Sequence, residues 1–148
     1  MAIRVLELHH HGVRVPWNKV EEANRFYTEV LGLRPDTRRP EIPFVPGSWM
    51  YVGEEGERTA QIHIIGSDGA PPPWAKSVQQ DPTRFHVALA VADIQETCAE
   101  LDRMKVSYWV IDGLVGPQSR QVFLDDPAGN LIELHQIGTC TCDRSRTA

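Results

Sequence analysis

Three consecutive histidines, His9, His10 and His11, open a chain whose other histidines stand singly at 63, 86 and 135, the last two residues beyond Glu133. Imidazole and carboxylate together are the ligand set of first-row transition metals and do not suit calcium. A histidine taken alone is more often a satisfied core or surface residue. These are set apart by their place in an internal repeat. The segments His10-His-Gly-Val-Arg-Val15 and His86-Val-Ala-Leu-Ala-Val91 share the pattern His-x-x-x-x-Val. His63 and Glu133 lie at matched places further on. If two modules pair about a pseudo-twofold axis, His10, His63, His86 and Glu133 converge on one concave surface. The repeat also selects His10 within the triplet, and alternation along a strand predicts that His9 and His11 point to the opposite face. His135 shares the face of Glu133.

The elements that must position these groups are readable from caps and periodicity. Asn18 and Asp93 are each followed three residues later by Glu, a capping-box-like helix start. Val20, Ala23, Phe26, Tyr27, Val30 and Leu31 then recur at helical spacing, as do Ile94, Thr97, Cys98, Leu101 and Met104. Gly32 is placed to end the first helix. Short strands follow: SWMYVG and AQIHIIG in the first half, VSYWVI, RQVFLDD and NLIELHQ in the second, with Asp126-Pro-Ala-Gly129 as a turn. Ile62 and Ile64 alternate with His63, and Ile132 and Leu134 with Glu133, so aliphatic and ligand-type side chains take opposite faces. The organisation predicted is a module over residues 1–65, a Pro- and Gly-rich linker over 66–84, a second module over 85–137 and a tail over 138–148. His86 follows His10 by 76 residues and Glu133 follows His63 by 70, so the first module holds about six extra residues, most easily placed in TRRPEIPFVPGSW. That insertion sets Ile42, Phe44 and Val45 between prolines, as a surface loop or a pocket lid.

Composition narrows the partners. Fifteen basic against twenty acidic residues give a net charge of −5, with no basic block of the kind nucleic acid or an anionic membrane requires. No apolar run reaches membrane-span length, and MAIRVLELHHH lacks the sections of a signal peptide. Cys140 and Cys142 form a Cys-x-Cys pair without a second pair and are read as an incidental tail feature in a reducing cytoplasm.

The motifs HHGVRV, NRFYTEVLGL, FHVALAV and VFLDDPAGNLIEL resemble the vicinal-oxygen-chelate superfamily over residues 5–137, closest in pattern to its glyoxalase I-like single-domain members. The resemblance implies an α+β fold of two βαβββ modules pairing into a cupped, partly closed mixed sheet with helices outside. It also implies one divalent transition metal ion (Fe, Ni, Zn, Mn or Co) on His10, His63, His86 and Glu133, with Glu133 and His63 as candidate bases. A small-molecule substrate and a homodimer are expected. Arg14, Phe44, Trp49, Phe123 and His135 are the candidate substrate-binding residues, and Trp17, Trp49, Trp74 and Trp109 candidates for an aromatic pocket.

Within that superfamily four activities compete. A glyoxalase I-like lyase or isomerase is favoured by Arg14, which resembles an arginine of that enzyme; against it, His63 stands where glyoxalase I usually has Glu. An extradiol dioxygenase matches the set His10, His86 and Glu133, with His63 as acid–base residue, but has Phe123 where a Tyr is usual. A fosfomycin-type thiol transferase needs clustered cations, for which Arg14, Lys105 and Arg120 are available. A bleomycin-type binding protein resembles the fold without the ligands.

Overall fold

The computed structural model describes residues 3–54 and 60–138; Cys140 and Cys142 lie outside them. β1 (Val5–Val15) leads through a 3-10 turn (Trp17–Lys19) into α1 (Val20–Arg25) and a π-helical turn (Phe26–Val30), followed by β2 (Arg34–Pro35), β3 (Gly47–Tyr51) and β4 (Gln61–Gly66). The second half repeats the plan with β5 (His86–Val91), α2 (Ile94–Arg103), β6 (Trp109–Asp112), β7 (Arg120–Asp125) and β8 (Leu131–Gln136). The strands form one eight-stranded sheet in the order β2-β3-β4-β1-β5-β8-β7-β6. β1 runs parallel to β4 and β5 parallel to β8, while β1 and β5 join antiparallel at the centre. The two halves therefore relate by an approximate twofold between β1 and β5, which puts equivalent strand positions opposite each other. The sheet is mixed and not closed, an α+β cup.

The second half is built as the periodicity predicts. The Asp93 carboxylate caps α2 by accepting from the Glu96 amide at 2.8 Å. Ile94, Cys98 and Leu101 then pack on Val91, Val122 and Leu134, with Leu124 and Ile132 at the margin. Each fully buried aliphatic side chain in such a cluster contributes about 1.5–3 kcal/mol. Because side chains alternate along a strand, fixing Val122, Ile132 and Leu134 under α2 turns Gln121, Phe123, Glu133 and His135 to the other face.

The first half departs from expectation. Asn18 does not cap; Pro16 precedes the 3-10 turn and no side chain caps α1. The helix also changes pitch, continuing from Phe26 to Val30 with π-type spacing, where the Thr28 hydroxyl donates to the Asn24 carbonyl at 2.8 Å. Gly32, at φ 70°, ends the segment as expected, and the Leu33 amide reaches back to the Tyr27 carbonyl at 2.9 Å. No residue of this segment is buried, although its spacing is amphipathic.

Candidate metal centre

The site begins with an irregularity in β1. Its pairing with β5 moves from Leu8 opposite Leu89 to His10 opposite Ala88, so two residues of β1 face one of β5. The extra residue, His9, breaks the alternation. His9 and His10 are both buried and both line the cavity on the cupped face. The expectation that His9 points away is corrected by this bulge. His11 does turn away and packs edge-on against Phe85, ring centroids 4.6 Å apart.

Three donor atoms meet across the sheet's central seam. His10 Nε2 lies 3.2 Å from His86 Nε2, and Glu133 Oε2 lies 3.2 Å from the first and 2.9 Å from the second. With metal–ligand bonds of about 2.1 Å, donors at 90° stand about 3.0 Å apart and tetrahedral donors about 3.4 Å. The separations are those of donors that can share one ion. Tautomers agree with this role. His86 Nδ1 sits 2.6 Å from the Arg84 carbonyl, which only accepts, so Nδ1 carries a proton and a His86 that gives up its Nε2 proton offers that nitrogen's lone pair to a metal. His10 Nδ1 lies 2.8 Å from His9 Nδ1, so a His10 that offers Nε2 to a metal donates its Nδ1–H to His9.

The protonation of these donors is set by burial and by one another. Burial depresses the His10 pKa to about 4, outweighing the pull of Glu133. Burial also opposes a charged His86, but its hydrogen bond and charge contact with Glu133 raise it above the usual value. Burial opposes ionisation of Glu133 as well, yet His135 and His10 hold it well below the usual carboxylate range. Its other oxygen, Oε1, accepts from Gln121 Nε2 at 2.6 Å and is in contact with His135 Nε2. Gln121 Oε1 and His135 Nδ1 remain buried without hydrogen-bond partners. Two imidazole nitrogens and a carboxylate oxygen on one face, with orphaned polar atoms behind them, fit a divalent transition metal.

His63 is close but differently engaged. Its ring stacks on His10 (3.7 Å, 15°) and on Trp49 (4.5 Å, 9°). Gln61 Nε2 donates to Asp36 Oδ2 at 3.2 Å, which turns Gln61 Oε1 towards His63 Nε2 at 2.9 Å. An amide oxygen only accepts, so Nε2 carries the proton and Nδ1 is left basic. Burial, with His10 and His9 adding to it, holds the His63 pKa well below the usual imidazole value. It is a neutral imidazole with a fixed tautomer.

The family model described as the Glyoxalase/Bleomycin resistance protein/Dioxygenase superfamily matches residues 8–134. The chain belongs to that superfamily. No curated protein matches the chain. Among solved structures it is similar to methylmalonyl-CoA epimerase from Mycobacterium tuberculosis (22% identity, TM-score 0.68, covering 92% of this chain and 91% of that one). It is similar also to a selenomethionine methylmalonyl-CoA epimerase (24%, TM-score 0.65, 92% and 97%). A superfamily member from Vibrio splendidus 12B01 matches at 14% identity and TM-score 0.56, over 91% and 99%. At these identities the likeness is one of fold.

Measured against the superfamily's implied site, the structure brings His10, His86 and Glu133 together as one donor group, with His63 beside it on Gln61. Trp49, Phe123 and His135 line the same cavity. Arg14 and Phe44 do not. The Arg14 guanidinium is drawn off to Ser67 (2.8 Å) and Asp81 (3.2 Å), where it pins the linker to β1. Phe44, with φ 63°, projects outward at 61% exposure. The cations proposed for a thiol transferase are not assembled, because Arg120 pairs with Asp112 at 2.8 Å and neither it nor Lys105 lines the cavity. The insertion borders the cavity where a lid would sit: Ile42 and Val45 line it with Trp74, Leu114 and Val115, and Trp74 Nε1 donates to the Pro43 carbonyl at 2.7 Å, tying the insertion to the linker. Sequence reasoning missed His9, Gln61, Gln121 and Arg39. Alternation in AQIHIIG and RQVFLDD marks the two glutamines, each two residues before a site residue; the bulge that exposes His9 to the cup leaves no such mark.

Proposed function

We propose that the chain is a metal-dependent lyase or isomerase, glyoxalase I-like in its class of chemistry, acting on a small substrate with vicinal oxygens. The observation that carries this is a donor triangle beside His63, a neutral imidazole whose tautomer is set by Asp36 and Gln61. His10, His86 and Glu133 would hold the ion, one of Fe, Ni, Zn, Mn or Co. When bound, it supplies Lewis-acid stabilisation of negative charge developing on substrate oxygen. The protein's own groups do the rest. Gln121 and His135 fix the Glu133 carboxylate through Oε1, so Oε2 stays aimed at the donor face. His63 takes a substrate proton at Nδ1 and returns it, a role that contributes about 10²–10⁴-fold in rate. Trp49, Phe123 and the lid exclude water from that exchange.

A second reading, an extradiol-type Fe(II) ring-cleavage dioxygenase, is favoured by the commitment of His63 to Gln61. That contact leaves two histidines and one carboxylate as donors, the set non-haem iron oxygenases use. One experiment separates the readings. Elemental analysis of untagged protein, wild type against His10→Ala and Glu133→Ala, is expected to give about one ion per chain, lost in both variants. The loaded protein is then assayed for exchange of substrate C–H protons in D₂O against 2-hydroxyketones and hemithioacetals, and for O₂ uptake with catechols. Absence of metal after reconstitution refutes both and leaves a bleomycin-type binding protein. A homodimer is proposed as the assembly, with the exposed Phe26, Val30 and Leu31 as candidate contacts; light scattering reads its mass.

A further inference from the structure

Arg39 lies in the lid and lines the same cavity as the donor group. Its surroundings are unusual for a cation. Nη1 donates to the Pro40 carbonyl at 3.2 Å and Nη2 to the Val45 carbonyl at 2.8 Å. These are neutral acceptors of its own loop, which hold the guanidinium in place without balancing its charge. Nε is buried and has no hydrogen-bond partner. No carboxylate pairs with Arg39 among the described residues, whereas the adjacent Arg38 is paired with Asp36 at 3.3 Å. Its partial burial lowers its pKa. A guanidinium stays protonated at any physiological pH, so the lid carries a fixed positive charge among Ile42, Val45 and Trp49. Withdrawing a cation from water without a counter-ion is unfavourable. It is relieved when an anion enters the cavity and accepts from the remaining N–H groups, in the charge-assisted geometry that suits a carboxylate.

We propose that Arg39 is the anion-recognition residue of this cavity and that the substrate is a carboxylate, its acid group on Arg39 and its vicinal oxygens at the donor face. The assignment rests on the metal-site reading for the second contact but not for the first. The Trp49, Trp74 and Phe123 rings in the lining favour a partly aromatic acid. Since the cavity volume is only about 60 Å³, room for a few waters, such an acid must displace Ile42 and Val45 of the lid on entry. Arg14, expected to clamp such a group, is occupied by Asp81; the lid arginine takes its place.

The test uses the full chain loaded with Co(II) and two matched series of probes. Catechol, 3,4-dihydroxybenzoate, 3,4-dihydroxyphenylacetate and 3-(3,4-dihydroxyphenyl)propionate are each compared with the corresponding amide by calorimetry and by the Co(II) absorption bands. In wild type, at least one acid is expected to bind about tenfold or more tightly than its amide. Arg39→Met abolishes that preference while catechol itself still perturbs the Co(II) bands, and Arg39→Lys keeps part of it. Equal binding of acid and amide across the series, or a preference that survives in Arg39→Met, overturns the proposal. If wild type loads no Co(II), the metal reading fails separately. The anion contact is then read on apo-protein with 3-phenylpropionate and its amide, by Trp49 and Trp74 fluorescence. Loss of acid preference in Arg39→Met supports the assignment there, and its absence in wild type refutes it.

Discussion

Replacing Gly12 by alanine tests the donor group without touching a donor. A Cβ added at Gly12 stands 2.6 Å from Cε1 and 2.9 Å from Nδ1 of His86, and 2.9 Å from Cδ1 of Ile65. Ordinary carbon–carbon contact begins at about 3.5 Å, so the imidazole must retreat by about 0.9 Å. Ile65 Cδ1 is the end of a flexible side chain and yields easily. The His86 ring is rigid and anchored by Nδ1 to the Arg84 carbonyl at 2.6 Å, so moving it breaks that bond and carries Nε2 out of the triangle. Metal sites tolerate about 0.2 Å of such error. Loss of one imidazole is expected to weaken metal affinity about 100-fold or more, roughly 3 kcal/mol at 1.36 kcal/mol per decade. The assay is competition of Zn(II) or Co(II) with a chromophoric chelator, on Gly12→Ala, His86→Ala and the double variant. The clash disappears once the ring is gone, so the two changes should be strongly non-additive. Wild-type affinity in folded Gly12→Ala, or simple additivity in the double variant, refutes the place given to His86.

Other expectations follow from the same geometry. His9→Ala removes the acceptor of the His10 Nδ1–H and should weaken metal binding about 10–100-fold with little change in circular dichroism; unchanged affinity removes His9 from the site. In metal-free protein His10, at about 4, binds its proton far less readily than the unfolded chain's imidazole at about 6.5. The unfolded state then holds more protons between these values, so stability falls as pH drops through that window, by about 3 kcal/mol from His10 alone. His63 acts with the same sign, whereas the raised His86 contributes stability that is full at low pH and lost as pH rises through its folded value. Urea unfolding from pH 7 to 4 measures the slope, and His10→Asn should flatten it; an unaltered slope contradicts the burial argument. Leu101→Ala, in the α2 core at 1% exposure, should cost about 2–5 kcal/mol while metal stoichiometry is retained, read by denaturation beside elemental analysis.

Local sequence determined a good part of this protein. The Asp93 cap, the helical spacing from Ile94 to Leu101 and the alternation in NLIELHQ depend on neighbours a few residues apart, and period and chain chirality dictate them in any context. The two His-x-x-x-x-Val segments mark His10 and His86 as equivalent strand positions, but that β1 and β5 pair antiparallel at the seam, so that both face one site within a single chain, was decided by the fold. What only tertiary structure decided depends on the partner strand or on distant loops. The bulge that brings His9 beside His10 exists because β1 must pair with β5 in a register one residue out of step. The fate of Arg14 was likewise set at long range, by Asp81 in the linker, whereas Arg38 is claimed locally by Asp36, two residues before it. Arg39 is left beside the cavity, because no carboxylate among the described residues pairs with it and the lid's own carbonyls take only part of its donors. His63 was a candidate base from the sequence resemblance, but which of its nitrogens carries the proton was fixed by Gln61, oriented by Asp36 from 25 residues away. Sequence spacing gives residue type and face; charge pairing and hydrogen-bond direction require the three-dimensional neighbours that spacing does not encode.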